Sequence, residues 1–345
     1  MKALILAGGK GTRLRPLTVY TPKPVVPVMN RPFLLYQLEI LRRAGIKDIT
    51  LSLGYQPDKI ELVLGDGSEF GVNLRFVTEP RPLGTGGAYG FAADPTSATV
   101  VLNGDILTNA PIDKIIARHK ERSAEATIVL APVENPSAYG LVETDDDGRV
   151  LGFLEKPSPE ECGSLGINTI NAGIYVLEPS VLKLIPEDEN CSFEYDVFPA
   201  LLRDEKRVYS YILTQNYWRD IGTTQSYLDA HHDFLARKIK GFDLKKAGSS
   251  DVATAADIDK ISVLGENCTI KPGVRIVNSV IGAGVNIEEK AIIENSVIWP
   301  HTRIAAGAEL NNAIVGRGSH IGRNAKIGPG TVLGDKASIP DYSKA

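Results

Sequence analysis

Two different spacings of apolar residues divide the chain. From residue 1 to about 230, short β-rich apolar runs at 2–6, 49–53, 74–77, 99–102 and 127–133 alternate with segments of helical period. The first helix is predicted to start at Pro32 and to stop at Gly45, with Leu34, Leu38 and Leu41 on one face. This alternation predicts an α/β fold with a mostly parallel sheet covered by helices.

Beyond residue 264 the apolar spacing changes to steps of six, six and five. Aliphatic residues stand at 264, 270, 276, 281, 287, 293, 298, 304, 310, 315, 321, 327, 333 and 339, and the strings NSVI, NSVI and NAIV begin 17 residues apart at 278, 295 and 312. Such a repeat predicts a prism in which each short strand buries one side chain and glycines help to turn the corners. It resembles the hexapeptide-repeat, left-handed parallel β-helix, over roughly residues 252–340.

Composition and charge exclude several kinds of partner. The 345 residues are 43% hydrophobic, and 38 Lys and Arg against 42 Asp and Glu give a net charge of -4, so we expect no binding to nucleic acid or to a membrane. Three well-separated cysteines form neither a disulfide framework nor a metal motif. With no apolar run near the roughly 18 residues of a membrane span, a cytoplasmic location is expected.

The opening stretch LILAGGKGTRLRPLTVYTPKP, residues 4–24, combines three glycines with several cations. This combination predicts a backbone that approaches a small anion closely. The spacing fits neither the Walker loop nor the dinucleotide fingerprint. A glycine loop that follows the first strand of an open α/β sheet lies where such folds bind ligands.

The string GGxGTRLxPLT followed by PKP resembles the sugar-1-phosphate nucleotidyltransferases, which make NDP-sugars. The resemblance continues through EPRPLGTGGA, LNGD, AYG, FLEKP, NAGIY and YWRDIGT. It implies a Rossmann-like catalytic domain of the nucleotidyltransferase fold over residues 1–240. A polar linker at 241–257 and the β-helix at 258–345 would follow.

The resemblance also implies a role for each matching residue. The expected catalytic residues are Arg13, Lys23, Asp105, Lys156 and Asp220, of which Asp105 and Asp220 would hold Mg²⁺. The expected substrate-binding residues are Leu6, Ala7, Gly8, Gly9, Gly11, Thr12, Glu79, Pro82, Gly84, Thr85, Gly104, Gly140, Glu155 and Asn171. Arg13 and Lys23 would contact the triphosphate, whereas Gly140, Glu155, Lys156 and Asn171 would surround the sugar phosphate.

The implied reaction explains these residue types. An oxygen of the sugar 1-phosphate attacks the α-phosphorus of a nucleoside triphosphate in line, and pyrophosphate leaves. Two anions must meet, so the protein has to align them and neutralise their charge. Fixed cations and a hard divalent ion on carboxylates meet that need.

Glu79 suggests which base is bound. A carboxylate accepts two hydrogen bonds, and guanine presents N1–H and N2–H₂ side by side, so GTP is favoured. The sequences of the motifs also resemble those of mannose-1-phosphate guanylyltransferases most. This resemblance is the only basis for naming mannose 1-phosphate as the acceptor. A glucose-1-phosphate uridylyl-, thymidylyl- or adenylyltransferase is the alternative.

Two functions from other classes stay open. Hexapeptide β-helices often carry acyltransferase activity with a catalytic histidine, and His301 and His320 lie in the repeats, although both fall between the inward positions. A catalytically silent regulatory relative is the other alternative. In either case the β-helix is expected to mediate a homo-oligomer, as it does in members of the family.

Overall fold

The computed structural model describes residues 1–133, 140–155, 168–187, 189–243 and 249–345. They form two compact units that do not follow chain order. The first unit contains Met1–Gly9 and Leu34–Trp218, and the second contains Lys10–Phe33 and Arg219–Ala345. The boundaries 1–240, 241–257 and 258–345 stay a prediction, because this grouping reflects proximity in space rather than continuity of sequence.

The α/β part of the chain contains six helices and thirteen strands within the described residues. The helices are α1 Leu34–Arg43, α2 Pro57–Leu64, α3 Gly84–Ala92, α4 Ile112–Glu121, α5 Phe198–Arg203 and α6 Thr224–Leu235. The strands are β1 Lys2–Ala7, β2 Pro27–Val28, β3 Arg31–Pro32, β4 Asp48–Leu53, β5 Asn73–Thr78, β6 Thr99–Asn103, β7 Ile106–Thr108, β8 Ala126–Pro132, β9 Gly140–Thr144, β10 Val150–Glu155, β11 Thr169–Leu177, β12 Val208–Ile212 and β13 Trp218–Asp220. Each predicted strand and the first helix are therefore confirmed, although the helix begins at Leu34 and not at Pro32, which pairs with Pro27 in strand β3.

Nine of these strands form the sheet of the first unit. Its strand order is β10-β9-β11-β6-β1-β4-β5, and β8 joins β11 to β12. Strands β6, β1, β4 and β5 run parallel, with Leu4 of β1 between Thr50 and Val101. Strand β11 runs antiparallel to β6, β8 and β9. The predicted Rossmann-like parallel arrangement is thus confirmed in the centre of the sheet.

The central strand β1 explains why the glycine loop has a fixed starting point. Leu4 and Ile5 are fully buried, as expected for a strand covered on both faces. Helix α1 buries Leu34, Leu38 and Leu41 and ends with Arg42 and Arg43 in its last turn. The residues after Ala7 therefore begin at the carboxyl edge of a rigid sheet.

The C-terminal repeats form a parallel β-helix with three sheets of six, five and five strands. Its strands are β14 Asp251–Val252, β15 Asp257–Ile258, β16 Val263–Leu264, β17 Thr269–Ile270, β18 Arg275–Val277, β19 Val280–Ile281, β20 Asn286–Ile287, β21 Ile292–Glu294, β22 Val297–Ile298, β23 Arg303–Ile304, β24 Glu309–Asn311, β25 Ile314–Val315, β26 His320–Ile321, β27 Lys326–Ile327, β28 Val332–Leu333 and β29 Ser338–Ile339. Successive coils place Ile281 beside Ile298 and Ile298 beside Val315. The predicted inward positions from 270 to 327 are buried, and Leu264, Leu333 and Ile339 pack partly buried against them.

Glycine serves the β-helix in two ways, one of them at the corners as expected. A Cβ on Gly265 or Gly282 would lie 2.4 Å from a backbone nitrogen of the next coil, and neither residue has a left-handed φ. The left-handed corners include Asn278, Asn295 and Asn312, with φ of 46°, 51° and 50°. Gly265 and Gly282 therefore allow close stacking of the coils, whereas the asparagines and other glycines, such as Gly284 with a φ of 65°, turn the chain.

Two further features complete the fold. Among the residues that the structure describes, no helix is long and apolar enough to cross a membrane. Cys191 and Cys268 are buried free thiols, and burial raises the pKa of each above its ordinary value. Cys162 lies outside the described residues.

Candidate active site

The glycine loop leaves strand β1 at the carboxyl edge of the sheet. A Cβ on Gly8 would lie 2.7 Å from Oε1 of Glu79, whereas a Cβ on Gly9 would meet nothing within 4 Å. Gly8 therefore permits a close approach between the loop and a carboxylate. Leu6 and Ala7, the last residues of β1, hold the loop at this edge.

The Glu79 carboxylate is fixed by neighbours at the same edge. Its backbone N–H donates to Leu53 O at 2.8 Å, and its Oε1 accepts a hydrogen bond from Ser52 Oγ at 2.8 Å. The Leu83 N–H approaches Oε2 at 3.4 Å. Glu79 is thus a half-buried, oriented acceptor beside Gly8. Sequence reasoning missed Ser52, because a single serine inside an apolar strand carries no motif.

The loop that carries Asp105 packs against the end of β1. Gly104 N–H donates to Leu6 O at 2.8 Å, and a Cβ on Gly104 would lie 2.7 Å from that oxygen. The buried amide of Gln37 donates to Asn103 O at 2.8 Å and to Ile106 O at 2.9 Å, on either side of Asp105. Gln37, also missed from the sequence, fixes the backbone around this carboxylate.

A second cluster in the first unit joins Thr85 and Asn171. Thr85 Oγ1 donates to Glu194 Oε2 at 3.1 Å, and Asn171 Nδ2 donates to the Tyr175 hydroxyl at 2.9 Å. Tyr175 OH lies 3.3 Å from Glu194 Oε1. Burial, and then the nearby Glu194 carboxylate, raise the pKa of Tyr175 well above its ordinary value, so it stays a neutral donor. Sequence reasoning did not select Glu194 or Tyr175.

The other predicted residues of this unit lie on strands or loops nearby. Gly140 and Glu155 are partners in the β9–β10 pair, so the backbone brings these two positions together. The carbonyl of Pro82 accepts a hydrogen bond from Asn190 Nδ2 at 3.3 Å. Gly84 has a φ of +74°, and a Cβ there would lie 2.5 Å from Cys191 O. Lys156 lies outside the described residues.

In the second unit, the segment after Gly9 folds back on itself. Gly11 has a φ of +61°, and a Cβ on it would lie 3.1 Å from the Cβ of Lys23. Thr18 Oγ1 donates to Gly11 O at 2.7 Å, and Thr12–Leu14 form one 3₁₀ turn. The segment therefore brings Gly11, Thr12, Arg13 and Lys23 into one small structure, with Lys23 buried and Arg13 exposed.

Arg13 and Asp220 also come together within the second unit. Arg13 Nη2 lies 3.9 Å from Asp220 Oδ2, with 64% of the Arg13 side chain and 23% of the Asp220 side chain exposed. A Cβ on Gly222 would lie 2.7 Å from Arg13 Nη2 and 2.8 Å from Asp220 Oδ1. Gly222 thus leaves room for this pair just before helix α6. Asp105 belongs to the first unit and Asp220 to the second.

The histidines of the repeats are parts of the β-helix itself. His301 is exposed and occupies a left-handed corner with a φ of 61°, stacked where a Cβ on Gly284 would lie 2.6 Å from its Nδ1. His320 lies in strand β26 and is half-buried. Across the described ranges, no group of three or more His, Cys, Asp or Glu side chains could hold a metal ion.

Comparison with known proteins matches both halves of the chain. Residues 2–237 match the family described as nucleotidyl transferase, and residues 244–344 match the left-handed β-helix (LbH) domain of EIF2B subunit epsilon. The chain is 37% identical over 303 residues to a mannose-1-phosphate guanylyltransferase of Mycobacterium tuberculosis, covering 85% of this chain and 82% of the relative. It is 40% identical over 277 residues to a mannose-1-phosphate guanyltransferase of Schizosaccharomyces pombe, covering 78% and 74%. It is 37% identical over 369 residues to one of Gibberella zeae, covering 99% and 93%.

Proposed function

Since this chain belongs to the nucleotidyl transferase family, we propose that it transfers GMP from GTP to mannose 1-phosphate, giving GDP-mannose and pyrophosphate. Transfer of a nucleotidyl group to a sugar phosphate is the activity that the relatives share by name. The choice of GTP and of mannose 1-phosphate is the proposal. Glucose-1-phosphate uridylyl-, thymidylyl- or adenylyl transfer is the alternative.

The observation that carries the proposal is the carboxylate beside the glycine loop. Glu79 lies at the carboxyl edge of the sheet, against Gly8, and Ser52 orients it. Each carboxylate oxygen can accept more than one hydrogen bond, so both can still receive the N1–H and N2–H₂ of guanine. Uracil, thymine and adenine do not offer two adjacent donors of this kind. The relatives' names independently support mannose 1-phosphate as the acceptor.

The chain's own cations and loops would perform the alignment. The exposed Arg13 guanidinium would balance charge on the departing pyrophosphate, and the buried Lys23 would hold a phosphate oxygen beside the Gly11 turn. Gly140, Glu155, Lys156 and Asn171 would hold the sugar phosphate. No covalent nucleophile is needed, because in-line transfer depends on positioning and charge neutralisation.

We propose that the site takes a magnesium ion whose coordination the substrates complete. Asp105 and Asp220 offer carboxylate oxygens, and the described residues contain no larger cluster that would suit a metal held by protein alone. Mg²⁺ characteristically binds one or two carboxylates plus phosphate oxygens. When bound, it would supply positive charge to the reacting phosphates.

A substrate matrix tests the proposal directly. Purified protein with Mg²⁺ is assayed for pyrophosphate with GTP, ATP, UTP and dTTP against mannose, glucose and glucosamine 1-phosphates. The expected result is the highest kcat/KM for GTP with mannose 1-phosphate. Acetyl-CoA with the sugar nucleotide product tests the acyltransferase alternative, and no free CoA is expected.

Glu79→Gln tests the base-reading role. An amide replaces one acceptor with a donor, so kcat/KM for GTP should fall about 30-fold, or about 2 kcal/mol, while that for UTP rises. Glu69→Gln, an exposed change elsewhere in the same unit, should alter neither value. An unchanged preference for GTP in Glu79→Gln would assign guanine recognition to another residue.

We also propose that the β-helix joins copies of the chain. Strands β28 and β29 are the last strands of their sheets among the described residues, and a terminal strand can offer its backbone edge to a partner, whereas Lys326 of β27 already pairs with Lys344. Light scattering at micromolar concentration should give the mass of an oligomer. A monomeric mass would contradict this assignment.

A further inference from the structure

Trp299 connects the β-helix, through one tyrosine, to the segment 10–33, which contains Lys23 and which we call the proposed phosphate-binding segment. Its side chain is 1% exposed, and its Nε1–H donates to the Tyr227 hydroxyl at 2.9 Å. The Tyr227 hydroxyl in turn donates to the carbonyl of Pro27. These three residues, which we call the Trp299 relay, all belong to the second unit.

Two members of the relay, Pro27 and Tyr227, follow proposed catalytic residues in the sequence. Pro27 follows Lys23 by four positions, and the segment between them is almost entirely buried. Tyr227 lies near the start of helix α6, which follows Asp220 along the chain. His231 packs edge-on against Tyr227 with ring centres 4.5 Å apart, which further fixes the tyrosine ring. The hydroxyl of Tyr227 thus joins the helix that follows Asp220 to the backbone that follows Lys23.

A second contact ties the same segment to the neighbouring coil. Met29 and Asn30 form the left-handed turn between β2 and β3, with φ of 49° and 62°. Asn30 Nδ2 donates to Ile281 O at 2.8 Å. Ile281 is the register partner of Ile298, which precedes Trp299. Two successive coils therefore hold one short hairpin, at its tip and at its base.

We propose that Trp299 is a positioning residue for nucleotidyl transfer. By donating to Tyr227 it fixes the hydroxyl that holds Pro27, and through that carbonyl it sets the position of Lys23. The inference rests on the proposed function, because Lys23 is assigned there to the triphosphate. In-line transfer is sensitive to displacements below about 1 Å, so loss of one buried hydrogen bond far from the phosphates should lower the rate. The β-helix would then serve catalysis as well as assembly.

The test compares Trp299→Phe with wild type. Phenylalanine keeps an aromatic side chain in place and removes only the donor and part of the ring. We expect kcat/KM for GTP to fall about tenfold, with KM for mannose 1-phosphate within twofold, because the proposed sugar contacts lie in the first unit. Ile304→Val, which removes a buried methyl group elsewhere in the β-helix, is the matched control. It should lower the thermal midpoint without changing kcat or either KM.

Tyr227→Phe completes a double-mutant cycle and is the smaller change if Trp299→Phe folds poorly. It should give a similar fall in kcat/KM for GTP, and the double variant should show little further loss, because both changes break one relay. Additive losses, or wild-type kinetics in either folded single variant, would overturn the inference.

A readout that does not depend on turnover separates this inference from the proposed function. The amides of Val25, Val26 and Phe33 are hydrogen-bonded within the segment, so their exchange with deuterium reports its local opening. Exchange should be at least about fivefold faster in Trp299→Phe and Tyr227→Phe than in Ile304→Val. Unchanged amide exchange rates would contradict the relay even if the protein makes GDP-mannose. If the wild-type protein has no transferase activity, the proposed function is wrong. The exchange rates would still show whether the relay holds the segment.

Discussion

The β-helix and the candidate active site use glycine for opposite purposes. In the β-helix, Gly265 and Gly282 stand against the backbone of the next coil, 17 residues apart in sequence. At the site, Gly8 stands against the Glu79 carboxylate and Gly222 against the Arg13–Asp220 pair. The first kind of contact repeats from coil to coil and supports stability, whereas the second follows no repeat and brings charged groups close to the main chain. Substitutions in the two regions should therefore separate stability from activity.

The largest effect is expected for Asp105→Asn. An amide keeps the shape but loses the charge proposed to hold Mg²⁺, so kcat should fall about 1,000-fold, or about 4 kcal/mol of barrier. The free energy of unfolding should stay within about 0.5 kcal/mol of wild type. Asp113→Asn, at an exposed position of α4, is the control and should keep full activity. Pyrophosphate release and urea unfolding measure the two quantities. Full activity in Asp105→Asn would reject the metal assignment.

Gly282→Ala should show the reverse behaviour. Its new Cβ would lie 2.4 Å from Pro300 N, and the coils cannot separate without breaking their ladder, so we expect about 3 kcal/mol of destabilisation. Below its unfolding temperature the variant should keep kcat. Gly328→Ala is the matched control, because its Cβ would meet only Ala345 O at 3.4 Å. Equal thermal midpoints for the two variants would show that coil stacking is looser than the structure indicates.

The smallest effect concerns His231, on helix α6. Burial lowers the pKa of His231 to about 4, and its Nδ1 lies 2.9 Å from Tyr227 O. In the unfolded chain a histidine takes up a proton below about pH 6.5, whereas the folded chain does so only near pH 4. Stability is therefore lost as pH falls from about 6.5 to about 4, by about 2 kcal/mol at pH 5.

Urea unfolding at pH 7 and at pH 5 measures this loss. The reference is His231→Gln, which cannot take up a proton and should lose correspondingly less stability on acidification. The same pH dependence in both proteins would contradict the assignment to His231.

The sequence predicted the β-helix almost residue by residue because its contacts repeat. Each of the fourteen aliphatic positions predicts an inward, buried side chain. Because the pattern repeats, an exception at one position does not change the prediction. The stacking role of Gly265 and Gly282 was not predicted, since spacing cannot distinguish a glycine with a left-handed φ from one that permits close stacking. Paired residues are 18 rather than 17 apart at both ends of the β-helix; the step of six from 327 to 333 shows this at the C-terminal end, whereas before Leu264 only the strand pairs show it.

The site was predictable only where motifs mark it. Gly8, Arg13, Glu79 and Asp105 stand in recognisable strings, whereas Gln37 does not. Ser52, Tyr175, Glu194 and Trp299 also lack any motif. Their importance comes from long-range hydrogen bonds, and such bonds join positions that no local pattern relates. Sequence patterns thus found the groups proposed to touch substrate but not those that hold them.

The grouping of Lys10–Phe33 with Arg219–Ala345 has a consequence for biosynthesis. The ribosome makes this early segment long before the strands against which Asn30 docks. Until the coils of the β-helix have been made, the sheet of the first unit can form while the segment lacks its packing partner. Contacts so distant along the chain form slowly. Maturation of the proposed phosphate-binding segment is therefore tied to synthesis of the β-helix, and release of a chain before that point would leave the segment without its final packing.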